Sequence, residues 1–208
     1  MAGPPPRLPL PRGRVPAPCA GRDWLLEPQS LAHNERDYAA VMAAREHLRA
    51  WSHSDWPGDD FTLAANAEDL AGHIDDARQG LAYGYSVFAS DRSELLGSLY
   101  LNPTGFLTEN YQTDEATRLE LAAALVEVDY WLVPAREADF EFHRDFALTV
   151  DRWLRTDWGY ARPLWGSRRA MGARRDFYAQ IGWSEWRELQ SKSEPGRRFW
   201  LHGASAPA

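Results

Sequence analysis

The run VEVDYWLV at residues 126–133 sets Glu127 and Asp129 two positions apart. In an extended strand that spacing puts both carboxylates on one face, with Trp131 and Val133, while Val126, Val128, Tyr130 and Leu132 take the other. Two carboxylates on one face of a central strand are costly unless water solvates them or a cation pairs them. In a solvated cleft each raises the pKa of the other, which makes a base that works near neutral pH. Against an arginine the pair is structural instead. Other chemistries find little support. The six histidines show no H-x-x-x-H spacing, so no zinc site is expected. There is no Gly-x-Ser-x-Gly elbow and no Walker A loop. The single cysteine, Cys19, excludes an internal disulfide and any multi-cysteine metal cluster.

The elements that must hold this strand follow from the hydrophobic pattern. Residues 24–27 read as a short strand closed by Pro28. Asn34 starts a first helix that runs to about Trp51, with Tyr38, Val41, Met42, Arg45 and Leu48 on one stripe. Thr62 caps a second helix carrying Leu63, Ala67, Leu70 and Ile74 and stopping near Gly80. Residues 81–88 and 94–101 alternate as a hairpin around the turn at 90–93. Residues 102–115 read as a long loop, and 119–125 as a short helix. After the strand at 126–133, Phe142, Phe146, Val150, Trp153 and Leu154 mark a third long helix. Residues 162–165 read as a strand, and a fourth helix ends at Ile181 with Gly182 in the C′ position. Two strands finish the body, at 183–189 and 198–202. The fold class is α/β (α+β): a mixed, mostly antiparallel sheet with helices on both faces.

Composition bounds the function. A chain of 208 residues with 44% hydrophobic and 25% charged residues suits one soluble domain. A formal net charge of −7 argues against nucleic acid and anionic membrane as partners. No run of 18 apolar residues is present to span a bilayer. A cytoplasmic, reducing environment is expected, with a small molecule or protein as partner. Residues 1–21 hold seven prolines, three arginines and no acid, and residues 1–22 read as a disordered arm. Residues 23–202 form the body, and 203–208 a flexible tail.

The element order, together with RRDFYAQIGW at 174–183, resembles the GNAT-type N-acetyltransferases. Phe177, Tyr178, Ile181, Gly182 and Trp183 carry the motif, and the likeness spans about residues 23–202. It implies acetyl-CoA as co-substrate, lying where the fourth and fifth strands part. Backbone groups of Trp131, Leu132 and Val133 would pair with the pantetheine and polarise the thioester carbonyl. An amine would then attack directly. That chemistry needs a base for the ammonium proton, and Glu127 or Asp129 fits, with Asp129 nearer the parting. It needs backbone donors for the oxyanion. It also needs an acid for the leaving thiolate. Tyr178 fits that role, since a tyrosine with a pKa of about 10 is protonated at neutral pH. The acceptor site would be built from the first two helices, their connection and residues 102–115. There His53, Asp55, Trp56, Asp59 and Asp60 suit a cationic amine by charge and cation–π contact. Pro57, Gly58 and Thr62 in the same stretch are also ordinary turn chemistry.

The resemblance departs at the phosphate loop. Arg136 matches the family's first position, but Asp139 and Glu141 stand where small residues belong. A carboxylate about 4 Å from a phosphate charge is repelled by roughly 4 kcal/mol at an effective dielectric near 20. Three accounts remain open. The helix starts later and offers His143 and Arg144 to the phosphates, or the acids cap the helix, or coenzyme binding is lost. Met171 stands where the family often has Asn, and Arg168, Arg169, Arg174 and Arg175 cluster nearby. Two functions follow as expectations. One is acetyl transfer to the amine of a small molecule. The other is a GNAT-like binding or regulatory module without coenzyme. Edge strands near the C-terminus leave a homodimer open.

Overall fold

The VEVDYWLV run forms the central strand of the protein. In a computed structural model of the chain, residues 6–168, 170–194 and 196–204 are described. They contain seven strands: β1 (Trp24–Pro28), β2 (Tyr83–Ala89), β3 (Leu95–Pro103), β4 (Val126–Leu132), β5 (Leu164–Arg168), β6 (Trp183–Gln190) and β7 (Arg198–Ala204). Their order across one sheet is β1-β2-β3-β4-β5-β7-β6. Only β4 and β5 run parallel. The mixed, mostly antiparallel sheet expected from the pattern is therefore present.

The helices are α1 (Asn34–Ala43), α2 (Arg45–Ser52), α3 (Leu63–Gln79), α4 (Gly105–Asn110), α5 (Glu115–Ala124), α6 (Pro134–Ala138), α7 (Phe140–Trp153) and α8 (Gly172–Gln180). Thr62 caps α3 as its sequence suggests: its side chain accepts from the Ala65 amide at 3.1 Å. Gly80 ends that helix with φ 69°, a conformation glycine adopts without strain. Two expectations fail here. The single helix at 34–51 is broken at Ala44 (φ −102°, ψ 14°) into α1 and α2. Residues 102–115, read as a loop, contain the end of β3 and the whole of α4.

The alternation of β4 sorts its two faces. Val126, Val128, Tyr130 and Leu132 pack in one core with Phe142, Phe146, Ala147 and Val150 of α7 and Phe177 and Tyr178 of α8. On the other face Trp131 packs with Val41 of α1 and Leu48 of α2. A further cluster joins Leu107 and Leu121 of α4 and α5 to Leu164, Phe199 and Leu201. Each buried side chain of this size contributes about 1.5–3 kcal/mol, so the central strand is anchored from both sides.

Residues 6–22 do not form the free arm expected of them. Leu8 is 3% exposed, and its amide donates to Gly80 O at 3.1 Å. Tyr160 donates its hydroxyl to Pro9 O at 2.6 Å, and Trp153 its indole N–H to Ala17 O at 2.9 Å. Large aromatics of the body give the segment a seat. Burial pushes the Cys19 thiol up to about 12, so this cysteine is unreactive. The expected tail begins inside β7, which includes Gly203 and Ala204. Residues 1–5 and 205–208 lie outside the described residues.

The pairing of β4 with β5 is short. β4 and β5 are in register at Glu127↔Leu164 and Val128↔Trp165 only. Beyond those pairs β5 continues against β7, and β4 continues against β3.

Candidate active site

Glu127 and Asp129 share the face of β4 that their spacing required, but their surroundings differ. Asp129 is 6% exposed. Its carboxylate accepts from Arg168 of β5 at 2.5 and 3.2 Å, from the Trp51 indole at 3.0 Å and from the Tyr130 amide at 3.0 Å. Arg168 itself is sandwiched between the Trp51 and Phe199 rings, 5.0 and 5.3 Å from their centroids. The Asp129 carboxylate therefore meets an arginine, the structural alternative that the strand pattern left open. Glu127 is different. It is 3% exposed, and Asn102 donates to its Oε2 at 2.8 Å. Its Oε1 has no hydrogen-bond partner among the described residues. Burial, reinforced by the charge of Asp129, pushes its pKa up to about 8. Glu127 is thus the carboxyl of the two whose charged form burial disfavours.

Above these residues lies a cleft of about 440 Å³. Trp51 and Ser52 of α2, Trp56 of the connecting loop, and Asp69, His73 and Asp76 of α3 form its walls. Tyr83 and Gly84 of β2, Tyr100 and Asn102 of β3 and Asp129 of β4 complete it. The aromatic rings form one array. Trp51 lies 6.0 Å from Tyr100 at an interplanar angle of 29° and 6.4 Å from Trp56. His73 lies 5.0 Å from Tyr100. Burial lowers the His73 pKa against the pull of Asp69 and Asp76, which keeps the ring neutral at pH 7. Trp56 donates its indole N–H to Asp69 at 3.0 Å.

Trp56 therefore stands where the acceptor site was expected, whereas Asp59 does not. The Asp59 carboxylate is 84% exposed and turns to Arg49 at 2.8 Å and Arg45 at 3.3 Å. His53, Asp55 and Asp60 are exposed too. The α3 wall went unread, although Asp69, His73 and Asp76 at i, i+4 and i+7 share one helix face.

On the opposite face of the sheet, a side chain fills the space where β4 and β5 part. Arg174 of α8 is fully buried. It donates to Tyr130 O at 2.7 Å and lies 4.0 Å from the centroid of that ring. Glu137 of α6 receives its guanidinium at 2.9 and 2.8 Å. His47 of α2 meets the same carboxylate at 2.8 Å. Burial disfavours the Glu137 charge, yet Arg174 and His47 outweigh it and hold the carboxyl well below the usual range.

Of the residues assigned to a pantetheine, Trp131 and Leu132 are buried, and the Val133 amide donates to Leu96 O at 2.8 Å; the neighbouring Tyr130 O is taken by Arg174. Tyr178 lies at the same place, its hydroxyl donating to Gly166 O at 3.3 Å. Gly166 is the first β5 residue past the pairs with β4. Burial drives the Tyr178 pKa well up, so the phenol stays protonated.

The phosphate-loop residues are dispersed. Asp139 caps α7, its carboxylate accepting from the Phe142 amide at 3.1 Å. That is the capping alternative raised for the acids. Arg136 lies over the Phe142 ring at 5.1 Å, beside a small cavity shared with Asp139, Glu141 and Asp145. His143 is no phosphate ligand in this arrangement. It is 1% exposed, 2.5 Å from the Tyr130 hydroxyl and stacked on Phe177 at 3.6 Å. Burial, then the charge of Arg174, lowers its pKa to about 3. Arg144 is half exposed and pairs weakly with Glu141 at 3.7 Å. Of the basic cluster, Arg168 and Arg174 are ion-paired inside the molecule. Arg175 covers the Trp200 ring at 4.4 Å, and Arg169 lies outside the described residues. Among the described residues no group of His, Cys, Asp and Glu is arranged to hold a metal ion, and no helix is long and apolar enough to cross a membrane.

No protein-family model matches the chain, and no curated protein matches it by sequence. Solved structures do match it in three dimensions. The ribosomal L7/L12 α-N-protein acetyltransferase RimL superposes with a TM-score of 0.65 at 14% identity, over 94% of this chain and 98% of that one. The microcin C7 self-immunity acetyltransferase MccE, solved with acetyl-CoA and AMP, gives 0.65 at 12% identity over 88% and 93%. Mycobacterium smegmatis RimJ, solved with a CoA disulfide, gives 0.64 at 16% identity over 92% and 87%. With its strand order and the parting of β4 from β5, the chain has the fold of the GNAT-type N-acetyltransferases.

Proposed function

We propose that the protein transfers the acetyl group of acetyl-CoA to the amine of a small molecule held in the cleft. One observation carries this: the aromatic and acidic cleft ends on β4 at Asp129, the first residue past the point where β5 leaves the strand. A volume of about 440 Å³ is that of a small-molecule site. The similar solved structures include acetyltransferases named for ribosomal proteins, so a protein N-terminus is the competing acceptor.

In this mechanism the amine nitrogen attacks the thioester carbonyl carbon, and the carbon–sulfur bond breaks. The ammonium proton passes to the Glu127 carboxylate, whose raised pKa suits the transfer. The thiolate leaves as thiol with the Tyr178 hydroxyl proton. Asp129 is a positioning residue: with Arg168 it holds Trp51 against the cleft. Acetyl-CoA would have to displace Arg174 from Tyr130 O.

That last contact, with the Asp139 cap, favours a second function, a GNAT-shaped binding module without coenzyme. Calorimetric titration with acetyl-CoA and CoA separates the two. Saturable micromolar binding supports transfer, and turnover should then fall at least tenfold in Tyr178→Phe and in Glu127→Gln. No binding at millimolar ligand sinks the enzyme and leaves the module.

A further inference from the structure

The cleft carries negative charge that the attack of one neutral amine does not require. Asp129, at its floor, is neutralised by Arg168. Asp69 and Asp76 are not: neither has a salt-bridge partner among the described residues, and Asp69 receives only the Trp56 indole. No lysine or arginine lines the cleft. Opposite the α3 carboxylates stand the Trp51, Trp56 and Tyr100 rings. Ring faces opposite carboxylates attract a weakly hydrated organic cation by cation–π and Coulomb terms together. A second observation lies beneath the floor. Glu127, 3% exposed, has an unpartnered Oε1; it does not itself line the cleft, but its other oxygen accepts from Asn102, a residue of the lining. The cleft thus has two places for nitrogen, one at the floor and one between α3 and the rings.

We infer that the acceptor is a diamine-like molecule: one nitrogen reacts at the floor by Asn102 and Asp129, above Glu127, and a second, cationic nitrogen sits between Asp69, Asp76 and the rings of Trp51, Trp56 and Tyr100. The reacting end rests on the acetyl-transfer function proposed above. The cation seat does not, and it is tested without turnover. Choline, which has no transferable N–H, is titrated against the holding protein in parallel with its uncharged carbon isostere 3,3-dimethylbutan-1-ol, with tryptophan fluorescence as readout. Choline is expected to bind at least tenfold tighter than the alcohol. Asp69→Asn with Asp76→Asn should cut that preference below threefold, and Asp75→Asn, on the exposed side of α3, should leave it intact. Equal binding of the two probes, or binding of neither, overturns the cation seat whatever acetyl-CoA does. Choline binding without acetyl-CoA binding keeps the seat and removes the enzyme. Where turnover is found, 1,4-diaminobutane should exceed 1-aminobutane at least tenfold in kcat/KM, and equal values overturn the diamine assignment.

Discussion

Arg174 and Glu137 form a lock across the parting of β4 and β5, and removing it should open the protein to coenzyme. The perturbation is the double substitution Arg174→Met with Glu137→Leu. In the native protein Arg174 spends a charge-assisted hydrogen bond of 2.7 Å on Tyr130 O. Such a bond is worth about 1.5–3 kcal/mol net. A ligand competing for that carbonyl must first forfeit it. Removing the guanidinium returns that energy to the ligand, which makes acetyl-CoA binding tighter by about 10- to 150-fold at 1.4 kcal/mol per decade. The double variant matters because the single one is hazardous. Arg174→Met alone leaves Glu137 buried with only His47 beside it. Breaking a buried pair in this way costs about 3–5 kcal/mol, a Tm loss of about 6–20 °C for a chain of this size. Replacing both partners by apolar side chains is commonly neutral or better. The assay is calorimetry with acetyl-CoA, with differential scanning calorimetry to verify folding. A double variant that melts like the native protein and binds acetyl-CoA no tighter refutes the lock.

Four further outcomes are expected. The raised Glu127 pKa sets a pH dependence with a definite sign: the folded state holds the proton above the ordinary value of 4.5, up to about 8. Stability is therefore fullest below the unfolded pKa and is lost as pH rises through 8. Glu127→Gln should gain on the native protein between pH 5 and pH 9 in thermal melts, and parallel curves would sink the assignment. Asp129→Ala strands a buried Arg168 and should cost about 3–5 kcal/mol in urea unfolding, most of it recovered by adding Arg168→Met. Asp139→Ala should cost about 1 kcal/mol as a lost helix cap, and it should tighten acetyl-CoA binding by removing a carboxylate from the α7 end; unchanged stability would mean that the cap is idle. Leu8→Ala should destabilise by about 2–4 kcal/mol, an outcome no free arm would give.

Much of the fold was legible because its signals are local. The VEVDYWLV alternation sorted the two faces of β4, Thr62 marked a helix start, and Gly182, with φ 81°, marked the end of α8. The site was legible only in part. Strand spacing put Glu127 and Asp129 on one face but said nothing of Arg168, which reaches Asp129 across 39 residues. That partner distinguishes the surroundings of the two carboxyls. Asp69, His73 and Asp76 were hidden for another reason: a cleft wall and a solvated helix face use the same residue types at the same spacing. Asp59 misled because a turn acid beside a tryptophan looks like a cation site until Arg45 and Arg49, upstream on α2, are seen to hold it. The proline-rich segment at 6–22 was read as disordered, whereas it is seated on the body. Its burial depended on Tyr160 and Trp153, which lie far along the chain.

The two register pairs between β4 and β5 make the sheet mechanically two plates, β1 to β4 and β5 to β7, joined along a short seam. Each plate is antiparallel and stitched along its length. The seam is tacked mainly by side chains, Arg168 on one face and Arg174 on the other. Prying the plates apart therefore breaks few backbone pairs, but it must part Tyr130 from Trp165 and Leu121 from Leu164. Widening beside the end of the cleft is thus resisted by side-chain packing and the Arg168 ion pair more than by strand pairing.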